Sequence, residues 1–171
     1  MISYIFAVIT GIAFFIFDRY TKDLVSSTFI LSETKDFFPG LIDFTYIHNR
    51  GGAWGMLSGY TWLLVSLTVI IMLVCIALLL KYGFKDKLMF WAISLIFFGG
   101  IGNMYDRLFN GGNVVDFIHL SFMPQFPVFN IADCAIVIGS GLFIIYFVIG
   151  MIKDSRDKRA VIIPEEKSNN E

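Results

Sequence analysis

Four stretches of the chain are apolar all round, without the one-sided periodicity of a surface helix or strand. They cover residues 2–17, 60–80, 88–105 and 131–152. A helix needs roughly 17–25 such residues to cross a bilayer, so the pattern predicts four membrane spans. The first is short and meets Asp18, which places that carboxylate in the interfacial layer with the helix continuing past it. The N-terminal stretch has no basic leader and no small-residue cleavage site, so it reads as a retained first span. Between spans one and two, LIDFTYIHN (residues 41–49) alternates in the manner of a strand and is rich in aromatic and β-branched residues. NRGGAWGM follows, with glycines suited to tight turns. The pattern therefore predicts an all-α membrane protein, a four-transmembrane-helix bundle with a small extracytoplasmic β-element.

Composition agrees with the span count. Of 171 residues, 57% are hydrophobic and only 16% charged, against about 45–50% and 25% in a soluble domain. Mean hydropathy is +0.74. Length suggests a single domain over residues 1–152, then a polar tail, 153–171, expected to lack regular structure. The net charge of −1 offers nothing to a nucleic acid. Basic residues set the orientation. Lys81, Lys85 and Lys87 lie between spans two and three, and Lys153, Arg156, Lys158 and Arg159 follow span four. The positive-inside rule places both segments, and so both termini, in the cytoplasm. Residues 18–59 and 106–130 then face outward. Trp54, Tyr60 and Trp62 suit an aromatic belt. Cys75 and Cys134 match no metal or redox spacing and read as apolar packing. His48 and His119 are far apart in sequence, and loop hydrogen bonding is their expected role.

In this topology the unusual polar residues collect at one membrane face. Asp18 and Lys22 are i, i+4 and can pair, and the plainer reading is an interfacial anchor. Asn103, Asp106 and Arg107 share a helix face at the end of span three, where the plainer reading is a structural Asp–Arg pair. Gly99, Gly100 and Gly102 allow close helix packing there. Asp116 is embedded in VVDFI, an apolar setting for a loop aspartate, although an Asx turn or cap after Gly112 and Asn113 would also explain it. Asn130 and Asp133 open span four as N-cap and N3, where a cap and a functional role compete. Two carboxylates, Asp116 and Asp133, thus reach one face from separate segments. If close, they cannot both ionise easily and would share a proton. One would activate a water and the other polarise a carbonyl, as in aspartic proteases. Asn49, Asn103, Asn130 and Arg107 could hold a peptide backbone or a lipid head group.

With these residues in place, the chain resembles the lipoprotein signal peptidase (signal peptidase II) family, bacterial intramembrane aspartyl proteases. The matching blocks are DRYTK at residues 18–22, NRGGAWG at 49–55, GNMYDR at 102–107, VVDFI at 114–118 and FNIAD at 129–133. The resemblance covers nearly the whole chain from about residue 5 to 152, with a departure at Gly52, where the family more often has alanine. It implies a hydrolase that cleaves diacylglyceryl-modified prolipoproteins just before the lipidated cysteine, without metal or organic cofactor. It places the catalytic pair on Asp116 and Asp133, substrate binding on Asn49, Asn103, Arg107 and Asn130, and supporting roles on Asp18, Lys22, Asp106 and Gly102. The implied partners are lipid-modified prolipoproteins and membrane lipid, the implied location is the bacterial cell membrane, and a monomer is the expectation. Competing readings are a small transporter, which should carry polar residues near mid-membrane in repeated halves, and a structural adaptor whose aspartates are caps.

Overall fold

A computed structural model of the chain describes residues 1–82 and 85–168, with the side chains of residues 157–168 outside the described set. Four long helices, α1 (Ile2–Thr28), α2 (Thr61–Tyr82), α3 (Lys87–Phe109) and α4 (Ile131–Ser168), are joined with three short strands, β1 (Thr34–Phe38), β2 (Ile42–Asn49) and β3 (Val114–Leu120). All four helices contain a stretch long and apolar enough to cross a membrane: 2–28, 61–82, 87–109 and 131–156. Together with their lipid-facing exteriors, these make the chain a multi-pass membrane protein. Large apolar side chains such as Ile70, Leu73, Val137 and Ile144 lie exposed along the helices. In water such a surface would be an interaction patch; hydrocarbon covers it instead, with backbone hydrogen bonds satisfied inside each helix.

Helix α3 is the hub. It packs against α1, α2 and α4, and half of its most apolar window is buried. Its contact with α4 is the tightest, and glycine explains why. A Cβ on Gly99 would stand 2.6 Å from the Ala132 carbonyl oxygen, and one on Gly102 3.0 Å from the Ala132 Cβ. Gly139 is the reciprocal position on α4, where a Cβ would stand 2.8 Å from the Ala92 carbonyl oxygen. In lipid there is no hydrophobic drive between helices, so close backbone approach carries much of the association.

Each helix passes beyond its apolar stretch. Helix α1 continues through Asp18 to Thr28, because Asp18 and Lys22 are buried at 0% and 1% exposure and pair inside the protein. Helix α4 continues to Ser168, past the point where the sequence pattern begins a polar tail at residue 153. The first eight residues past that point, KDSRDKRA, contain no glycine or proline and are mostly good helix formers; Pro164 lies further along the helix. Residues 169–171 lie outside the described residues, as do 83–84 in the α2–α3 connection.

The strands form one antiparallel sheet in the order β1–β2–β3. The alternating stretch 41–49 predicts β2; β1 and β3 have no such signature. Strand β1 is wholly exposed and exists by pairing with β2, Thr34 opposite Thr45. Strand β3 is buried on both sides along Val114–Phe117, so its sequence reads as an apolar run without alternation. It pairs with β2, Ile47 opposite Asp116 and Asn49 opposite Val114. Chain order places this sheet at the C-terminal ends of α1 and α3 and the N-terminal ends of α2 and α4.

Candidate active site

The N-terminus of α4 organises the site. A new helix has four backbone N–H groups without intrahelical partners. The Asn130 side chain accepts from the Asp133 N–H (3.0 Å), and the Asp133 carboxylate accepts from the Asn130 N–H (3.1 Å). This is a reciprocal capping box built from Asn and Asp. Asp18 on α1 accepts from the Ala132 N–H (2.9 Å), a cap supplied by another helix. The capping reading of FNIAD is therefore correct, and it leaves atoms free for a second role. The other Asp133 oxygen accepts from Asn103 Nδ2 (2.7 Å), and Asn130 Nδ2 donates to Asp116 Oδ1 (2.5 Å). Asn130 thus touches both aspartates, one by each face of its residue.

Asp116 reaches this point from mid-strand. Its backbone neighbour Val115 is fixed by an N–H bond to Asp106 Oδ2 (3.3 Å), and the Val115 carbonyl accepts from Asn130 Nδ2 (3.3 Å). Asn49, at the end of β2, donates to Asp116 Oδ2 (2.8 Å) and to the Gly52 carbonyl (3.2 Å), while its own oxygen accepts from the Gly51 N–H (2.9 Å). Each Asp116 oxygen therefore meets one amide donor. Burial, and then the charge of Asp133, push the Asp116 carboxyl up to about 7, against the opposing pull of the Asn49 and Asn130 donors and the Lys22 charge.

Beneath the two aspartates lies a buried ionic layer. Lys22 Nζ is 2.8 Å from Asp18 Oδ2, 2.9 Å from Asp106 Oδ2 and 3.2 Å from Asn103 Oδ1. Arg19 closes the layer, 2.5 Å from Asp106 Oδ1 with its guanidinium over the Tyr105 ring. The expected Asp18–Lys22 pair forms. The plainer reading of Asp106 as partner to Arg107 does not hold: Asp106 faces α1, while Arg107 bonds the Asn103 carbonyl (3.3 Å) and turns to the cavity. Arg19 had no role in the sequence pattern, although its place beside Asp18 and one turn from Lys22 marks a second cation on that helix. Asn103 connects the layers. Its oxygen accepts from Lys22 and from Asn130 Nδ2 (3.0 Å), which forces its amide N–H toward Asp133.

A cavity of about 540 Å³ is lined by Asp116 and Asp133 together with Asn49, Asn103 and Arg107. Its remaining walls are apolar and include Ile136, Val137 and Ile138 of α4. Val137 and Ile138 are exposed on the lipid-facing surface, so the cavity continues sideways toward the bilayer. Asp18, Lys22 and Asp106 stand behind the wall. Gly102 is also behind it, and its missing Cβ admits Asp18, whose Oδ2 would lie 2.9 Å from that atom. The histidines are elsewhere: His48 Nε2 bonds the Tyr46 hydroxyl (2.8 Å), and His119 Nδ1 lies 3.5 Å from Asp43. Both histidines and their partners lie on strands of the sheet, not in the loops that the sequence reading assigns them to.

Comparison with known proteins agrees with this geometry. The family model described as signal peptidase (SPase) II matches residues 10–149. A lipoprotein signal peptidase of Staphylococcus haemolyticus is 35% identical over 153 residues, covering 89% of this chain and 94% of that protein. One from Staphylococcus aureus is 36% identical over 145 residues, 84% of this chain and 86% of its own. Two solved structures of bacterial membrane enzymes superpose with TM-scores of 0.74 and 0.75, at 33% and 34% identity, over 87% and 82% of this chain and 88% and 91% of theirs. A relative of this identity and coverage leaves no ambiguity about kinship, and the chain belongs to the signal peptidase II family.

Proposed function

We propose that the chain is an intramembrane aspartic endopeptidase that removes the signal peptide from lipid-modified prolipoproteins, cutting just before the lipidated cysteine. Family membership supports a protease that acts on prolipoprotein signal peptides. The observation that supports the aspartic mechanism is the Asn130 bridge, which holds Asp116 and Asp133 on one cavity wall and gives both a fixed amide donor.

Two carboxylates in this relation hold one proton between them near neutral pH, because ionising the second is opposed by the first and by burial. The ionised member takes a proton from a water molecule as that water attacks the scissile carbonyl carbon. The protonated member donates a hydrogen bond to the carbonyl oxygen as it gains charge. The pair then returns a proton to the departing amine. Arg107, Asn49 and Asn103 bind and orient the peptide backbone or lipid head group beside the pair. Lys22, Asp18, Asp106 and Arg19 fix the elements that carry them. The sideways opening along α4 fits a substrate that arrives from the bilayer as an apolar signal peptide. The basic connection between α2 and α3 and the start of the α4 extension lie at the opposite end from the sheet. With these cytoplasmic, the site faces outward at the surface of the cell membrane.

The test is cleavage of a purified lipidated prolipoprotein in detergent or nanodiscs. Asp116→Asn and Asp133→Asn should each abolish it while the protein remains folded. Normal turnover by either variant would sink the mechanism. Ion flux through liposomes that depends on Asp116 would instead support a transporter.

A further inference from the structure

A second cavity, of about 400 Å³, adjoins the first. The two share a thin wall made by Asn49, Gly52, Trp54 and the segment 126–128. That wall is held across its middle by one long hydrogen bond, Trp54 Nε1 to the Gln125 carbonyl (3.4 Å), and an edge-on contact between Trp54 and Phe126. The cavities differ in character. The first runs down α4 among apolar side chains. The second is built from residues 47–58 and 119–128, all outside the membrane-spanning segments. His48, Arg50, Ser58, His119 and Gln125 line it, and among the described residues no acidic one does. Arg50 is fixed at Nε by Asn113 Oδ1 (2.7 Å) yet remains exposed. Two carboxylates of the sheet stand behind the lining: Asp43 lies 3.5 Å from His119, and Asp116 accepts from Asn49 on the side of the first cavity.

A polypeptide cut between Asp116 and Asp133 has two sides. The apolar signal-peptide side fits the first cavity and the lipid beyond it. Beyond the lipidated cysteine, whose acyl chains stay with the bilayer, the other side must leave the dyad through a polar space outside the membrane, and the second cavity lies just across the shared wall from the site. We propose that the second cavity holds the substrate chain on the C-terminal side of the cleaved bond, and that its cationic lining favours carboxylates there. This rests on the protease reading above and adds a subsite to it. Arg50 supplies the fixed charge. His48 and His119 supply further hydrogen-bond groups.

The experiment uses the full chain in nanodiscs and two synthetic diacylated prolipopeptides. They share one signal peptide and differ only at the second and third residues after the cleavage point, Asp-Asp or Lys-Lys. For one partly exposed charge pair the acidic peptide should show roughly a three- to tenfold higher kcat/KM at low salt. The ratio should shrink toward one in roughly 0.5 M salt, where screening acts within a few ångströms. It should shrink likewise in Arg50→Gln. A photoreactive side chain at the third residue should label residues 48–50 or 119–128. Equal kcat/KM for both peptides, a preference for lysine, a salt-independent ratio or labelling elsewhere would each overturn the subsite while leaving the protease reading intact. Failure to cut either peptide would defeat both. If Arg50→Gln does not fold, the salt dependence and the labelling in the unaltered chain decide the matter.

Discussion

Replacing Asp116 by asparagine should inactivate the enzyme and, at alkaline pH, stabilise it. In the unfolded chain this carboxyl ionises near 3.8; in the folded protein it holds its proton up to about 7. Between those values the folded state binds more protons than the unfolded state, so stability falls as pH rises. The contribution is fully present below 3.8 and gone above about 7. The gap corresponds to about 4 kcal/mol, the larger part of it lost between pH 5 and pH 8. Asparagine carries no charge and escapes this loss. It does turn an N–H toward either Asn49 or Asn130, each now a donor to an Asp116 oxygen, and that mismatch costs about 1–3 kcal/mol at every pH. The mismatch cancels when two pH values are compared. The difference in stability between Asp116→Asn and the parent should therefore move in favour of the variant by about 2–3 kcal/mol from pH 5 to pH 8, or roughly 5–10 °C in Tm for a chain of this size. Thermal unfolding in detergent, followed by tryptophan fluorescence at both pH values, measures it. A difference that stays constant, or moves against the variant as pH rises, would refute the claim that burial and Asp133 raise this carboxyl.

Further substitutions at three places probe the supporting structure. Lys22→Met leaves Asp18 and Asp106 buried without their shared ammonium, so it should destabilise by about 3–5 kcal/mol; adding Asp18→Asn should recover part of the loss, and additive effects would count against a coupled layer. Gly99→Ala pushes a methyl to 2.6 Å from the Ala132 carbonyl oxygen, whereas Gly100→Ala meets only the Thr68 Cγ2 at 3.6 Å. The first should lower stability by about 1–3 kcal/mol and the second leave it nearly unchanged; equal Tm values would contradict the α3–α4 packing described. Asn103→Leu removes the donor to Asp133 and the acceptor of Lys22 and Asn130, so kcat should fall about ten- to hundredfold with the protein still folded, a loss of about 1.5–3 kcal/mol per charged hydrogen bond. Unchanged kcat would remove Asn103 from the site.

Much of the site is legible in the sequence because the bilayer makes polar residues conspicuous. Asp18, Asn103 and Asp133 stand out against apolar spans, and once four spans are counted, chain direction alone brings them to one end. Asp116 stands out for the same reason, a carboxylate among valines and phenylalanine. The sequence is silent wherever an element exists only through its partner. Strand β1 is too short and too charged to announce itself and forms along the edge of β2. Strand β3 lacks alternation because helices and strand cover it together. Pairing across helices is equally hidden. Spacing within α3 offers Asp106 to Arg107, yet the fold gives it to Arg19 and Lys22 from another helix. The capping role of Asp133 and the catalytic role proposed for it are compatible in three dimensions. A carboxylate has two oxygens. One closes the capping box with Asn130, and the other meets Asn103 at the cavity wall. The bond that starts the helix thus leaves the second oxygen to meet Asn103 at the wall of the cavity that Asp116 also lines. Helix start and proposed reactive group are here one structural feature, and a substitution at Asn130 should disturb both together.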